Sequence, residues 1–325
     1  MKRLFKWLAR LLLLAVILGG IAFVHVWYFK PYKIDWFYGR VFAQFALQSP
    51  EMLSGMRILP SWADFYSDDL DDASPAHGDE MAAMVKDDLD TLRRYDRSAL
   101  DAEGKLSYDA LEFFLADMVE GDQYRYNDFP LNQMFGVQSG LPNFLAQTHQ
   151  VNNAGDAENY IKRLGLFPRK FSQVLEGLRL REEKGVIPPK FTVDKVLEQM
   201  TSFIAVPSNE HMLYTTFKEK LDKLETDKVD EAKREALLAR AQHSIDSNVY
   251  PAYRELIAYF TALQAKATQN QGAWSLRNGD AYYAWCVRSH TTTDMTPAEV
   301  HELGLGEVAR IQVGPEMRRG IGELD

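Results

Sequence analysis

The sequence predicts a mainly α-helical protein: a multi-helix array behind an N-terminal transmembrane helix, with few or no strands. Three observations point there. Apolar residues recur every three or four positions over long stretches, the spacing that lines one face of a helix. Polar segments with Gly and Pro separate these stretches. Alternating runs of β-branched residues are scarce, so strands have little to form from.

The first element is the N-terminal apolar run. Lys2, Arg3, Lys6, Arg10 and Lys30 are the only charged residues among the first thirty. Residues 11–29, LLLLAVILGGIAFVHVWYF, carry no charge at neutral pH. They are close to the roughly 20 residues that cross a bilayer as a helix. Trp27 and Tyr28 stand at the far end, where aromatic rings favour the headgroup level. A cleaved signal peptide would end in small residues, and this run ends in His-Val-Trp-Tyr-Phe. A buried core helix fits the composition but not the four basic residues ahead of it. An uncleaved signal anchor fits both. Residues 1–10 are then a cytoplasmic basic segment, 11–29 a span of the bacterial inner membrane, and 30–325 a helical domain in the periplasm.

Residues 68–80 (DDLDDASPAHGDE) concentrate six acids and the breakers Pro75 and Gly78. They are expected to be a solvated loop, since a calcium loop needs Asp-x-Asp-x-Asp-Gly spacing. Helices are expected over 80–96 and 104–122, the second with Leu106, Leu111, Phe114, Leu115 and Met118 on one face. The pattern continues over 157–182, interrupted at Gly165 and Pro168, and closes at Pro188-Pro189. Thr192 is placed as the N-cap of a helix that buries Val196, Leu197, Met200 and Phe203. The longest periodic stretch, 227–267, carries Leu238, Ala241, Ile245, Val249, Ala252, Leu256, Phe260 and Leu263. Pro251 lies inside it and should kink or break it, because it lacks a backbone donor and clashes with the preceding turn. A short strand pair is expected near 271–278, where GAWSLRNG ends in a turn-like Asn-Gly. Thr296-Pro297-Ala298-Glu299 is a capping box with Pro at the first helical position, and Met295 and Val300 can staple it. That last helix carries Val300, Leu303, Val308 and Ile311 and should fail at Gly314-Pro315. Its apolar stripe is expected to be partly uncovered, unless residues 227–267 cover it.

Composition narrows the function. Asp and Glu number 46 against 37 Lys and Arg, for a net charge of −9. That is not the basic surface of a nucleic-acid binder. A single cysteine, Cys286, rules out an internal disulfide and any Cys-rich zinc module. Its neighbours in AYYAWCV fit a small buried side chain better than a reactive thiol. No Gly-rich dinucleotide or phosphate loop occurs, and no nucleophile elbow. His301-Glu302 opens like a zincin motif, but Leu305 stands where the second histidine belongs. The other histidines are scattered, whereas zinc sites usually include a close ligand pair. Thr291-Thr292-Thr293 reads as a helix-ending turn held by its hydroxyls, or as a wall of a substrate groove.

The stretch GAWSLRNGDAYYAWCVRSHTTTDMTPAEVHELGLGEVARIQ resembles the family known as domain of unknown function 885. Its members share a Gly-Asp-x-Tyr-Tyr helix, a Thr-Thr-Thr turn, a Thr-Pro-x-Glu cap and a Glu-Val-x-Arg-Ile run. LPNFLAQTHQVNNAGDAENYIKRL and VYPAYREL are similar in the same order, so the likeness covers about 40–312. The resemblance implies an all-helical relative of zinc metallopeptidases. The family's metal motif resembles His-Glu-x-x-Pro-Gly-His and lies beyond the segment present here, and Val313-Gly314-Pro315 departs from the pattern. The chain is therefore expected to be the N-terminal part of such a protein, truncated before its metal motif and not hydrolytic. Zinc is expected only in full-length relatives, and no catalytic or metal residue carries over. Tyr282, Tyr283, His290, Thr292 and His301 match the recurring motif and are the substrate-cleft candidates. The alternative is an anchored helical module that binds peptide or protein. Expected partners are the bilayer, through residues 11–29, and a peptide or protein, not nucleic acid.

Charge asymmetry around the apolar run makes the topology testable. A reporter fused after Asp325 should be active in the periplasm, and activity confined to the cytoplasm would overturn both anchor and compartment.

Overall fold

A computed structural model describes residues 2–59, 63–269 and 272–321. Among the described residues the elements are helices, with no strand. Helix α1 (Lys2–Tyr28) is the apolar run, and none of its apolar window is buried against the rest of the protein. Helices α2 (Ile34–Leu47), α3 (Pro50–Met56), α4 (Pro75–Leu92) and α5 (Ala102–Gly121) follow. Then come α6 (Val137–Asn143), α7 (Ala154–Gly165), α8 (Phe167–Glu183), α9 (Lys190–Ala205), α10 (Met212–Asp222), α11 (Glu231–Ser244) and α12 (Tyr250–Gln264). Helices α13 (Gly279–Thr291) and α14 (Pro297–Ile321) end the array.

Two apolar cores hold these helices. The smaller joins α2, α4 and α5 through Phe37, Val41, Val85, Leu89, Leu92, Tyr108 and Leu115. Inside it Arg40 pairs with Asp88 at 2.9 Å, both side chains almost fully buried. Desolvation raises the Asp88 carboxyl, and Arg40 opposes that rise. The larger core unites α6 to α12 around Tyr160, Phe167, Phe171, Phe217, Tyr253 and Phe260. Tyr160 stacks on Phe217 at 4.5 Å, and Phe203 on Tyr253 at 4.4 Å. Such pairs add about 0.5–1.5 kcal/mol each beyond area burial.

Several expectations need correction. The acidic stretch is not a free loop. Residues 68–72 form a strap tied to the basic side chains of α7 and α8. Lys162 binds Asp68 at 2.9 Å, Arg169 binds Asp69, and Leu70 enters the larger core. Lys170 bonds Glu51 and the Asp71 carbonyl, while Ser49 Oγ donates to Asp71. Pro75 starts a helix and does not break one. Ser74 Oγ caps it by accepting from the His77 amide, and proline suits the first turn because no donor is needed there. Thr192 is no cap either: α9 begins at Lys190, and Thr192 is buried within it. In α5, Leu115 is buried, but Leu106 and Phe114 are exposed. The 227–267 stretch does break, through a π-turn over Ile245–Val249 just ahead of Pro251. A wider turn absorbs the missing donor and the ring clash without ending the helix axis. The strand pair near 271–278 is absent where described: Ala273–Ser275 is a 3-10 turn and Asn278 is left-handed (φ 58°), while residue 271 lies outside the described residues. Helix α14 runs through Gly314-Pro315 to Ile321, against the expected stop. Its Thr296–Glu299 box forms, with Glu299 accepting from the Thr296 amide at 2.7 Å and the Glu299 amide donating to Thr296 Oγ1 at 3.3 Å.

At the centre of the strap sits Arg163, which is wholly buried. Its Nε donates to the Asp69 carbonyl at 2.8 Å. Its Nη2 donates to Ser54 Oγ at 2.7 Å and to the Tyr66 and Pro50 carbonyls at 3.1 and 3.3 Å. Its Nη1 meets His149 Nδ1 at 2.7 Å, and the ring of Phe144 lies 5.0 Å away. Arg163 can only donate, so His149 Nδ1 accepts and Nε2 carries the proton toward the Asp156 carbonyl, 3.1 Å off. Burial, helped by the Arg163 charge, depresses His149 to about 3, and burial lowers His211 to about 4.

Two outcomes follow from this packing. The unfolded chain protonates both histidines near pH 6.5, but the folded chain resists until about 3 or 4. Stability is therefore full above pH 6.5 and falls with acidity, by about 1.4 kcal/mol per pH unit for each histidine down to its folded pKa. His149→Asn should remove one share of that slope in urea titrations between pH 4 and 6.5. In α14, Leu303, Val308 and Ile311 are more than half exposed. Val308→Glu should leave thermal unfolding almost unchanged, whereas Leu256→Glu, in the larger core, should prevent folding. Equal damage from both would show the α14 stripe to be covered.

Candidate functional site

The family-like helix α13 lies along α5. Ser289 Oγ donates to Asp117 Oδ2 at 2.7 Å, and Arg288 pairs with Glu120 at 2.6 Å. Trp285 covers Gly121, where an added Cβ would fall 2.4 Å from the indole Cζ2. Tyr282 meets Tyr124, just past α5, with centroids 5.5 Å apart. As α5 numbers rise, their α13 partners fall, so the two helices run antiparallel. The contacting residues 282, 285 and 289 are spaced for one helix face. Gly121 supplies the close approach, since any larger residue would displace the indole.

The loop below this pair is fastened to the larger core. Arg181 of α8 donates from Nε to Asp128 Oδ1 at 3.0 Å and from Nη2 to the Arg125 carbonyl at 3.2 Å. Arg125 in turn reaches Asp79 on α4 and Asp122, at 2.5 and 2.9 Å. Tyr124 and Asp128 are thereby held between the two cores, beneath the start of α13.

Two cavities flank α13. The first, about 600 Å³, lies between α4, α5 and α13. Met81, Val85, Met118, Val119 and Trp285 make it apolar, and Lys86, Asp117 and Ser289 give it polar points. Trp285 Nε1 and Asp117 Oδ1 are buried there without hydrogen-bond partners. An unpaired buried polar atom costs about 1–3 kcal/mol. The second cavity, about 690 Å³, is walled by Phe129, Pro130, Phe135, Ile187, Leu276 and Tyr282. Burial and the neighbouring Cys286 push the Tyr282 hydroxyl up to about 12, so it remains a protonated donor at neutral pH.

The five residues singled out by sequence do not converge. Tyr282 lines the second cavity. Tyr283 is exposed, and His290 is exposed with Nδ1 2.7 Å from the Cys286 carbonyl. Thr292 is the left-handed end of α13 (φ 54°), its amide donating to the Arg288 carbonyl at 2.8 Å. The Thr291 and Thr293 hydroxyls bond each other at 2.9 Å, which makes this run a helix-ending turn. His301 is exposed on α14. Among the described residues, no three His, Cys, Asp or Glu side chains gather as a metal site would require. The residues sequence reasoning missed are Asp117, Gly121, Trp285 and Ser289. The spacing of Tyr282, Trp285 and Ser289 was available as a signal, but their partners on α5 were not.

The family described as "Bacterial protein of unknown function (DUF885)" matches residues 50–323, and the chain belongs to it. The matched span includes Val313-Gly314-Pro315. In three dimensions the chain is similar to "the putative lipoprotein from Colwellia psychrerythraea", a crystal structure with a TM-score of 0.73 and 20% identity. The likeness covers 84% of this chain and 49% of that one, so the chain spans about half of that protein's length. At that identity the likeness speaks for the fold. No curated protein matches the chain. Helix α1 is long and apolar enough to cross a membrane.

Gly121→Ala tests the α5–α13 contact. A helical Gly→Ala change normally stabilises by about 0.5–1 kcal/mol. Here the new methyl should push Trp285 away, so amides over 279–291 should exchange faster while those of the larger core do not change. Unchanged exchange in α13 would refute the contact.

Proposed function

We propose that the chain is an inner-membrane-anchored, periplasm-facing domain that binds peptide segments in the groove between α4, α5 and α13. In this reading it is related through its family to zinc peptidases but holds its ligand without cleaving it. One observation carries the proposal: an apolar groove keeps one unpaired donor, Trp285 Nε1–H, and one unpaired acceptor, Asp117 Oδ1. A peptide unit offers the complementary pair, a carbonyl for the indole and an amide N–H for the carboxylate. Both side chains line the groove. Apolar side chains of the peptide would rest on Met81, Val85 and Met118. In the second cavity, Tyr282 extends the same surface past the start of α13.

The test is a screen of immobilised random pentapeptides against the full chain in detergent. Peptides with apolar side chains should bind. Trp285→Phe keeps the ring and loses the N–H, so it should weaken them about three- to tenfold, the worth of one hydrogen bond. Failure to bind any peptide, or equal binding by Trp285→Phe, would contradict the groove assignment. Appearance of cleaved peptide would contradict the non-hydrolytic part.

A further inference from the structure

The joint between α1 and the rest of the protein is rigid. Arg40 of α2 donates from Nη1 to the Phe29 carbonyl at 3.0 Å and to the Trp27 carbonyl at 3.4 Å. Those carbonyls lie in the last turn of α1 and just past it, where intrahelical partners are missing. Lys30 Nζ donates to the Arg94 carbonyl at 2.8 Å and lies 4.3 Å from the Tyr95 ring centroid. The Tyr95 hydroxyl donates to the Pro31 carbonyl at 2.6 Å. Tyr32 folds back so that its ring stacks on His25 of α1 at 4.4 Å, nearly parallel. The linker 29–33 is thus clamped from α1, α2 and the α4–α5 connection at once. A protein joined this way cannot swing freely about its anchor.

Depth follows from length. The apolar window Phe5–Tyr28 has 24 residues. At a rise of 1.5 Å per residue it is about 36 Å long, against a hydrocarbon core of about 30 Å. Lys6 and Arg10, inside that window, hold its start at the inner headgroup level, so its last turn reaches the outer boundary of the core. Tyr32, stacked on His25, lies at the level of that turn. Phe29, Tyr32 and Trp36 are all exposed, Tyr32 at 83%. Trp36 follows Tyr32 by four residues, and Lys33 Nζ lies 5.9 Å from the Trp36 ring. Aromatic rings beside a lysine are the side chains that the bilayer interface favours.

We propose that Phe29, Tyr32, Lys33 and Trp36 form a second membrane contact, seated in the phospholipid headgroup layer of the bilayer that α1 spans. This contact fixes the face the domain turns toward the lipid. The occupant is the lipid surface because the patch continues directly from the span and shares its level. The proposal rests on α1 being the anchor, independently of what the groove binds.

The test uses the full chain in vesicles of phosphatidylethanolamine and phosphatidylglycerol. In a Cys286→Ser background, an environment-sensitive fluorophore is placed at Leu18→Cys, Trp36→Cys or Lys228→Cys, the last on the α10–α11 connection. Phospholipids spin-labelled near the headgroup should quench most emission at position 36 and little at 228. Phospholipids labelled deep in the acyl chain should quench position 18. Quenching at 18 but not at 36 would leave the anchor standing and overturn the second contact. No quenching at 18 would overturn the anchor and the contact together. Equal shallow quenching at 36 and 228 would overturn the specific patch.

Discussion

A buried guanidinium with no carboxylate of its own organises this protein. Arg163 directs its donors to two backbone carbonyls, a serine hydroxyl and one imidazole nitrogen, then to a third carbonyl at longer range. Burial lowers it to about 10, so it stays charged at neutral pH. The surrounding acids Glu51, Asp64, Asp71 and Asp68 supply the opposing field. A buried charge is tolerable only when its hydrogen bonds are complete, and here completeness requires chain segments distant in sequence. Residues 50–54, 66–69 and 149 must all come to α7. Arg163 is thus a reason that the acidic strap lies on the larger core.

The strap decides where everything else goes. It leads straight into Ser74 and the capped start of α4, so its position sets α4 and the smaller core beside the larger one. Arg181 then draws residues 125–128 to α8, and Tyr124 follows. On that platform α13 packs antiparallel to α5 and closes the groove. At the other end Arg40 and Tyr95 carry the same rigidity to α1. Helix α1, the cores and the groove are linked by a short series of buried or half-buried polar contacts. Apolar area supplies the bulk of the stability, and those contacts set the geometry.

Much of the fold was legible because helices are local. Periodicity located the larger helices, and the Thr296–Glu299 box was exact in its bonding. The misreadings share a cause. Pro75 and the acids of 68–72 look like loop residues in isolation, since their partners Lys162, Arg163, Arg169 and Lys170 lie about a hundred positions away. Charges that neutralise one another across the fold leave no local pattern. The groove was harder still. Of the five residues named from the motif, Tyr282 lines the second cavity, and Tyr283, His290 and His301 are exposed. Gly121 and Asp117 became visible only when α13 was seen on top of them. A glycine chosen for the ring above it carries no sequence mark.

Arg163 organises the fold, and urea unfolding of the detergent-solubilised chain tests that role directly. Arg163→Met keeps the aliphatic length and strands several buried acceptors. It should cost about 3–5 kcal/mol, as breaking a buried charge network does, and open residues 63–74 to proteolysis. Lys162→Met, which removes only the exposed pair with Asp68, should cost under about 1 kcal/mol. If the two substitutions cost the same, and the strap remains protected in both, Arg163 does not organise the fold.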